Sequence, residues 1–182
     1  MKELSLHILD IVQNSISAEA NRIEVLIDEN ITEDKYVIIV IDNGKGMDEE
    51  MLQLVMDPFF TTRTTRKIGV GISLFKQNAE QTGGNLTIES KVGEGTKVKA
   101  VFGYNHIDRP ILGDMAGTMT LLIGANPNIR FIYNHNTSLS EFEFDTNEVK
   151  EELGKVPINH PDILKALKEL ITENLELIEA GK

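Results

Sequence analysis

The chain has 182 residues, with 18 basic and 29 acidic side chains and a net charge of −11. That balance argues against broad binding to a nucleic-acid backbone or an anionic membrane, and the absence of cysteine rules out disulfides, thiol catalysis and cysteine-ligated zinc. No apolar run approaches the ~20 residues of a membrane span, and Met1-Lys2-Glu3-Leu4 lacks the apolar core of a signal peptide, so a cytoplasmic protein is expected.

Taken in chain order, Glu3 to Ser17 is expected to be a helix, because Leu4, Ile8, Ile11, Val12 and Ile16 recur near helical spacing. Arg22 to Ile27 alternates as a strand. Tyr36 to Ile41 is a continuous apolar run and reads as a strand buried on both faces. A turn follows at Asp42-Asn43-Gly44-Lys45-Gly46, and Asp48 can cap a short helix running to about Met56. Pro58 stops that helix. Thr61 to Ile68 has no period and reads as loop. Ile72 to Thr82 is a helix ended by Gly83-Gly84, and Asn85 to Ser90 and Thr96 to Phe102 form a hairpin. This order implies an α/β two-layer sandwich (α+β), a mixed sheet with helices on one face.

Gly103 to Pro110 reads as a boundary, which divides the chain into residues 1–103 and an extension, 104–182. Within the extension, Asp114 to Ile123 is expected as a helix, Ile129 to Tyr133 and Glu141 to Phe144 as strands, and Pro161 to Ile178 as an amphipathic helix. The extension carries 7 basic and 13 acidic residues, a net of −6. It is short for an independent domain and is expected to pack onto the first.

Charge is unevenly distributed. From Pro58 to Ala79 there is no Asp or Glu, yet Arg63, Arg66, Lys67 and Lys76 lie there. A basic, glycine-containing stretch in an acidic chain suggests a small anionic ligand, although a solvated loop reads equally well from charge alone.

Neither GxxxxGK[ST] nor GxGxxG occurs. Four other elements carry candidate chemistry. Asp10 and Asn14 stand four apart on one helix face, where a carboxylate and a carboxamide can hold a hydrated divalent cation and orient a water. Asp42 follows an apolar strand and can accept a hydrogen bond from an exocyclic amine, while Gly44 and Gly46 let backbone approach a flat ligand. The third element is Asp57-Pro58-Phe59-Phe60-Thr61-Thr62-Arg63. The fourth is Gly69-Val70-Gly71-Ile72-Ser73, whose backbone N–H groups at a helix start suit an anion, with Arg66 and Lys67 just before it.

In this order and spacing, over residues 3–102, the motifs resemble the ATP-binding domain of the gyrase, chaperone, histidine-kinase and MutL superfamily, in the form of a stand-alone histidine-kinase-like domain. The Asn14 helix looks like the N box, DNGKGM like the first glycine box, DPFFTTR like the F box, and GVGISLFKQNAEQTGG with GEGT like the second glycine box and closing threonine strand. The resemblance implies ATP and Mg2+ as cofactors. It gives Asn14 the magnesium, and Asp42 the adenine amino group with Thr96 beside it. Gly44, Gly46 and Met47 would line the adenine pocket, Gly69 to Ser73 (with Val70, Gly71 and Ile72) would wrap the phosphates, and Thr61 to Ile68 would form the lid. Phe60, Thr61, Thr62 and Arg63 belong to the F box.

The sequence departs from that pattern twice. The general base of the hydrolysing branches is a Glu four residues before the Asn, and here that position is Asp10, one methylene shorter; misplacement near 1 Å can cost on the order of 100-fold at a transition state. Where the second glycine box has an earlier glycine, this chain has Thr65-Arg66-Lys67-Ile68. His7 lacks the context of a phosphoacceptor histidine and reads as a helix-surface or partly packed residue.

Three functions remain open from these residues: phosphorylation or regulation of a partner protein, as the resemblance to anti-sigma serine kinases implies; an ATP-gated binding switch with slow or no hydrolysis; and a MutL- or gyrase-like ATPase. Expected partners are ATP and a protein or phosphoacceptor of unstated identity, with a homodimer as one option, and neither nucleic acid nor membrane.

Overall fold

A computed structural model of the chain describes residues 3–56 and 70–182, Val70 by its backbone alone. Helix α1 (Leu4–Ser17) turns Leu4, Ile8, Ile11 and Val12 inward, the stripe that the apolar spacing predicts. Strands β1 (Arg22–Asn30) and β2 (Lys35–Asp42) form an antiparallel pair in which Ile23 opposes Asp42 and Glu29 opposes Tyr36. Asp48 caps α2 (Glu49–Met56) by accepting the Met51 N–H at 2.8 Å. Helix α3 (Val70–Gln81) ends at Gly83, whose φ of +77° is the left-handed value of a helix C-cap. Strands β3 (Asn85–Lys91) and β4 (Gly95–Gly103) make the expected hairpin.

The residues after 103 do more than lie on this unit. They supply α4 (Met115–Ala125), β5 (Arg130–Asn136), β6 (Glu141–Asp145), α5 (Thr146–Leu153) and α6 (Pro161–Leu177). Strand β5 pairs in parallel with β1, so the sheet runs β3-β4-β2-β1-β5-β6 as one six-stranded mixed sheet. The remaining pairings are antiparallel. α6 packs on α4, and α4 on α1. This is the expected α+β sandwich.

The core lies on one face of the sheet. Ile23, Val25, Ile27, Tyr36, Ile38, Val40, Phe131 and Tyr133 point into it, together with Ile8, Phe75 and Met119 from the helices. Here one expectation is overturned. β2 is not buried on both faces: its residues alternate, and Val37, Ile39 and Ile41 look outward, Ile41 with 36% of its surface exposed. Its continuous apolar run reflects a sheet whose second face carries no described helix, not a strand between two layers. Helix α5 was not expected at all. Its mostly polar sequence has only Val149 and Leu153, four apart, as an apolar face, but Asp145 followed three residues later by Glu148 is a helix-start pattern, and Asp145 does accept the Asn147 N–H at 2.9 Å.

Candidate functional site

The site is built at the end of the sheet where β2 finishes and β4 begins. Asp42, the last residue of β2, points to the helix side and is only 8% exposed. A carboxylate there must be hydrogen-bonded, because burying it without partners costs several kcal/mol. Three groups meet that need. The Ser15 hydroxyl on α1 donates to Oδ2 at 2.6 Å, the Gly44 N–H to Oδ1 at 2.9 Å, and the Thr96 N–H to Oδ1 at 3.3 Å. Thr96 stands directly opposite Asp42 in the β2–β4 register. Its hydroxyl lies 2.9 Å from Ser90 Oγ, which in turn accepts the Met47 N–H at 2.8 Å.

The turn after Asp42 works because its glycines lack side chains. Gly46 sits at φ +66°, and a Cβ there would fall 1.9 Å from the Lys91 carbonyl oxygen. At Gly44 a Cβ would lie 2.6 Å from the Ala18 carbonyl oxygen. Both contacts are below any real carbon–oxygen approach. The backbone of the turn is therefore pressed against α1 on one side and the β3–β4 hairpin on the other, and the Lys45 N–H donates to the Ala18 carbonyl at 2.8 Å.

These elements enclose a cavity of about 180 Å3. Asn14, Ser15 and Asp42 bring polar groups to it, together with Gly46 and Thr96, while Ile11, Met47, Val55, Ile72 and Val98 make an apolar wall. A mostly apolar cleft with a few convergent polar groups is the form of a small-molecule site. Asp10 lies one turn before Asn14 on α1, beside the first turn of α3; a Cβ on Gly71 would fall 2.8 Å from Asp10 Oδ2. Burial holds the Asp10 carboxyl above the ordinary aspartate range. Among the described residues no group of three or more His, Asp or Glu side chains is arranged to hold a metal.

Of the residues singled out from sequence, the structure thus brings Asp10, Asn14, Asp42, Gly44, Gly46, Met47, Gly71, Ile72 and Thr96 to one end of the sheet. Ser73 lies in the first turns of α3. Phe60, Thr61, Thr62, Arg63, Arg66, Lys67 and Gly69 lie outside the described residues, as does the side chain of Val70. His7 corrects its expectation: it is fully buried, not at the helix surface. Its ring stacks on Phe75 with centroids 4.8 Å apart, and its Nε2 is 2.8 Å from Asn78 Nδ2 on α3. Burial pushes its pKa down to about 4. Ser15 and Ser90 were not singled out as site residues. Their sequence signals are faint, since each is a serine in an ordinary helix or hairpin and gains meaning only from a distant partner.

Comparison with known proteins gives the same reading. The family described as histidine kinase-, DNA gyrase B-, and HSP90-like ATPase matches residues 2–105, more than half the chain. Over 91 residues the chain is 32% identical to sporulation kinase D of Bacillus subtilis, covering 50% of this chain and 18% of that protein. Over 81 residues it is 37% identical to sensor protein SrrB of Staphylococcus aureus, covering 42% of this chain and 14% of that one. The matched stretch is under a fifth of the length of either relative. Among solved structures, the N-terminal domain of a DNA repair protein superposes with a TM-score of 0.52 at 17% identity, covering 80% of this chain and 52% of the other. At that identity the likeness shows the fold alone, and it covers a larger share of the chain than the family match does. With its helix-backed sheet and its matched N-terminal region, the chain belongs to the histidine kinase-, DNA gyrase B- and HSP90-like ATPase family.

Proposed function

We propose that the chain binds ATP with Mg2+ in the cavity beside Asp42 and uses it to phosphorylate or regulate a partner protein. The observation that carries this reading is the pinned Asp42 carboxylate. Three donors hold it at the edge of an apolar slot, where it can accept from the amino group of a flat base while Met47, Ile72 and Val98 cover the ring faces.

In this reading Gly44, Gly46 and Thr96 shape the base pocket. Asn14 and Asp10 face the phosphates together with the start of α3, where backbone N–H groups and the helix dipole favour an anion. A carboxamide and a carboxylate are hard oxygen donors. They suit Mg2+, which keeps several waters and is usually held by one or two protein oxygens plus phosphates, so a larger cluster of ligating side chains is not needed. Bound there, the ion would neutralise charge on the transferred phosphoryl group. Phe60, Thr61, Thr62, Arg63, Arg66, Lys67 and Gly69 to Ser73 would close over the phosphates. Residues 1–103 would form the nucleotide-binding part, and 104–182 would complete the sheet and offer an acidic partner surface.

A second reading is a nucleotide-gated switch with slow or no hydrolysis. It is favoured by Asp10, which is shorter than Glu and sits beside the start of α3, where only a glycine at position 71 leaves its carboxylate room. Incubation with γ-labelled ATP and Mg2+, with and without cell lysate, separates the readings. Label on a second protein supports the kinase. Phosphate release that vanishes in Asp10→Asn supports an ATPase. Tight ATP binding with neither outcome supports the switch. Absence of ATP binding would overturn the proposal.

A further inference from the structure

Among the described residues, no helix or strand covers the face of the sheet turned away from the helices. Leu26, Val37, Ile39, Ile41, Val101 and Ile132 point outward from four adjacent strands, and none of them packs against the core. Contiguous apolar side chains left open in this way mark an interaction surface.

The charges around this patch are sorted by edge. On the outward side of β3 and β4 stand Lys91, Lys97 and Lys99 against Glu89, a net of +2. On β5 and β6 stand Glu141, Glu143 and Asp145 against Arg130, a net of −2. The central pair, β1 and β2, balances Arg22 and Lys35 against Glu24 and Asp28. The face is therefore neutral on a chain of net charge −11. Some of these charges are already paired: Arg22 with Glu24, Arg130 with Asp145, and Lys91 with Glu94 of the hairpin turn. Among the described residues, Lys97 and Lys99 at one edge and Glu141 and Glu143 at the other make no ion pair.

We propose that this open sheet face is the interface of a homodimer, two copies packing face to face about a two-fold axis parallel to the strands. That rotation reverses the strand order of the second copy. It brings the basic β3–β4 edge of each subunit over the acidic β5–β6 edge of the other, with the central apolar strands between them. A two-fold axis across the strands would instead set basic edge on basic edge. The symmetric contact is self-complementary, as a closed two-fold interface requires, and sheets pack face to face in this manner with an apolar layer between them. A second copy is otherwise a poor partner, because two chains of this net charge repel. The neutral face is where they can approach.

Sedimentation equilibrium of the full chain tests this. The wild-type chain is expected to dimerise, and Ile39→Glu, which puts a charge at the centre of the apolar patch, to weaken the dimer at least ~100-fold. Two charge-reversed chains give a second route that does not depend on that variant folding. Lys97→Glu/Lys99→Glu and Glu141→Lys/Glu143→Lys should each self-associate at least ~10-fold more weakly than wild type. Mixed in equal amounts, they should pair with each other, because every opposed edge is then complementary. A monomeric wild type at all concentrations would overturn the proposal and leave the face to another kind of partner. A dimer unaffected by Ile39→Glu, or charge-reversed chains that fail to pair on mixing, would overturn it as well.

Discussion

The Ser15 hydroxyl donates to Asp42 Oδ2 across 2.6 Å, tying the N-terminal helix to the end of the second strand. The contact spans 27 residues of sequence and fixes a carboxylate that faces the apolar slot. Asp42→Asn would replace a charged acceptor by an amide that can present a donor to an incoming amino group. Since a hydrogen bond to a charged group is worth about 1.5–3 kcal/mol, ATP affinity should fall by roughly 10- to 100-fold. Ser15→Ala leaves the carboxylate short of one donor and should cost stability by about 1–3 kcal/mol as well. Calorimetric titration with ATP and urea unfolding of both variants check these outcomes; unchanged affinity in Asp42→Asn would remove Asp42 from the base pocket.

Gly46 and Gly83 offer a controlled pair. Both have positive φ, +66° and +77°. A Cβ at Gly83 meets nothing within 4 Å, whereas at Gly46 it strikes the Lys91 carbonyl oxygen at 1.9 Å. Gly83→Ala should therefore cost only the left-handed backbone penalty of about 1–2 kcal/mol. Gly46→Ala must in addition push the β3–β4 hairpin away from the turn, so it should cost more and should also abolish nucleotide binding. Equal stability losses in the two variants, with binding intact, would show that the close approach at Gly46 does not shape the site.

His7 predicts a pH dependence. Its folded-state pKa is pushed down to about 4, below the ordinary histidine value near 6.5. Between these two values the unfolded chain binds the additional proton, so stability rises with pH across that window and is flat with respect to His7 above it. The full contribution is at most ~3 kcal/mol. Urea unfolding at several pH values should show a smaller loss between pH 7 and 5 in His7→Gln than in wild type. Asp10, whose pKa is raised, acts in the opposite sense and is present in both chains, so the difference between them isolates the histidine. Parallel wild-type and variant profiles would count against a buried neutral imidazole.

The sequence made the site's motifs legible because they are local. Asp42 with two glycines after an apolar run, and Asp10 with Asn14 at helical spacing, can be read within a few residues. What could not be read depends on partners far along the chain. Ser15 gains its role from Asp42, and His7 from Phe75 and Asn78. From sequence, strand β1 ends at Ile27, where the apolar alternation of Ile23, Val25 and Ile27 stops. It continues because Glu29, turned inward, is paired with His135 more than one hundred residues later. The parallel insertion of β5 beside β1 has no local signal either, and the outward half of β2 reads as buried from sequence because an apolar residue looks the same on an open face as in a core.

That distant pairing gives the last prediction. Glu29 is 4% exposed, and Oε1 lies 2.7 Å from His135 Nε2 and accepts the Gly181 N–H at 2.7 Å. His135 Nδ1 lies 2.7 Å from the Tyr133 hydroxyl. The cluster joins β1, β5 and the turn after α6 at the end of the sheet opposite the candidate site. Removing one member of such a buried pair leaves the other without its partner and costs about 3–5 kcal/mol. His135→Ala should therefore be strongly destabilising. Glu29→Gln combined with it should lose less than the sum of the two single changes, because no charged group is then left stranded. Strict additivity in denaturant unfolding would mean that the two residues stabilise the sheet independently. A positive coupling would show that residues 104–182 are held to β1 by this network, as well as by the strand pairing of β1 with β5.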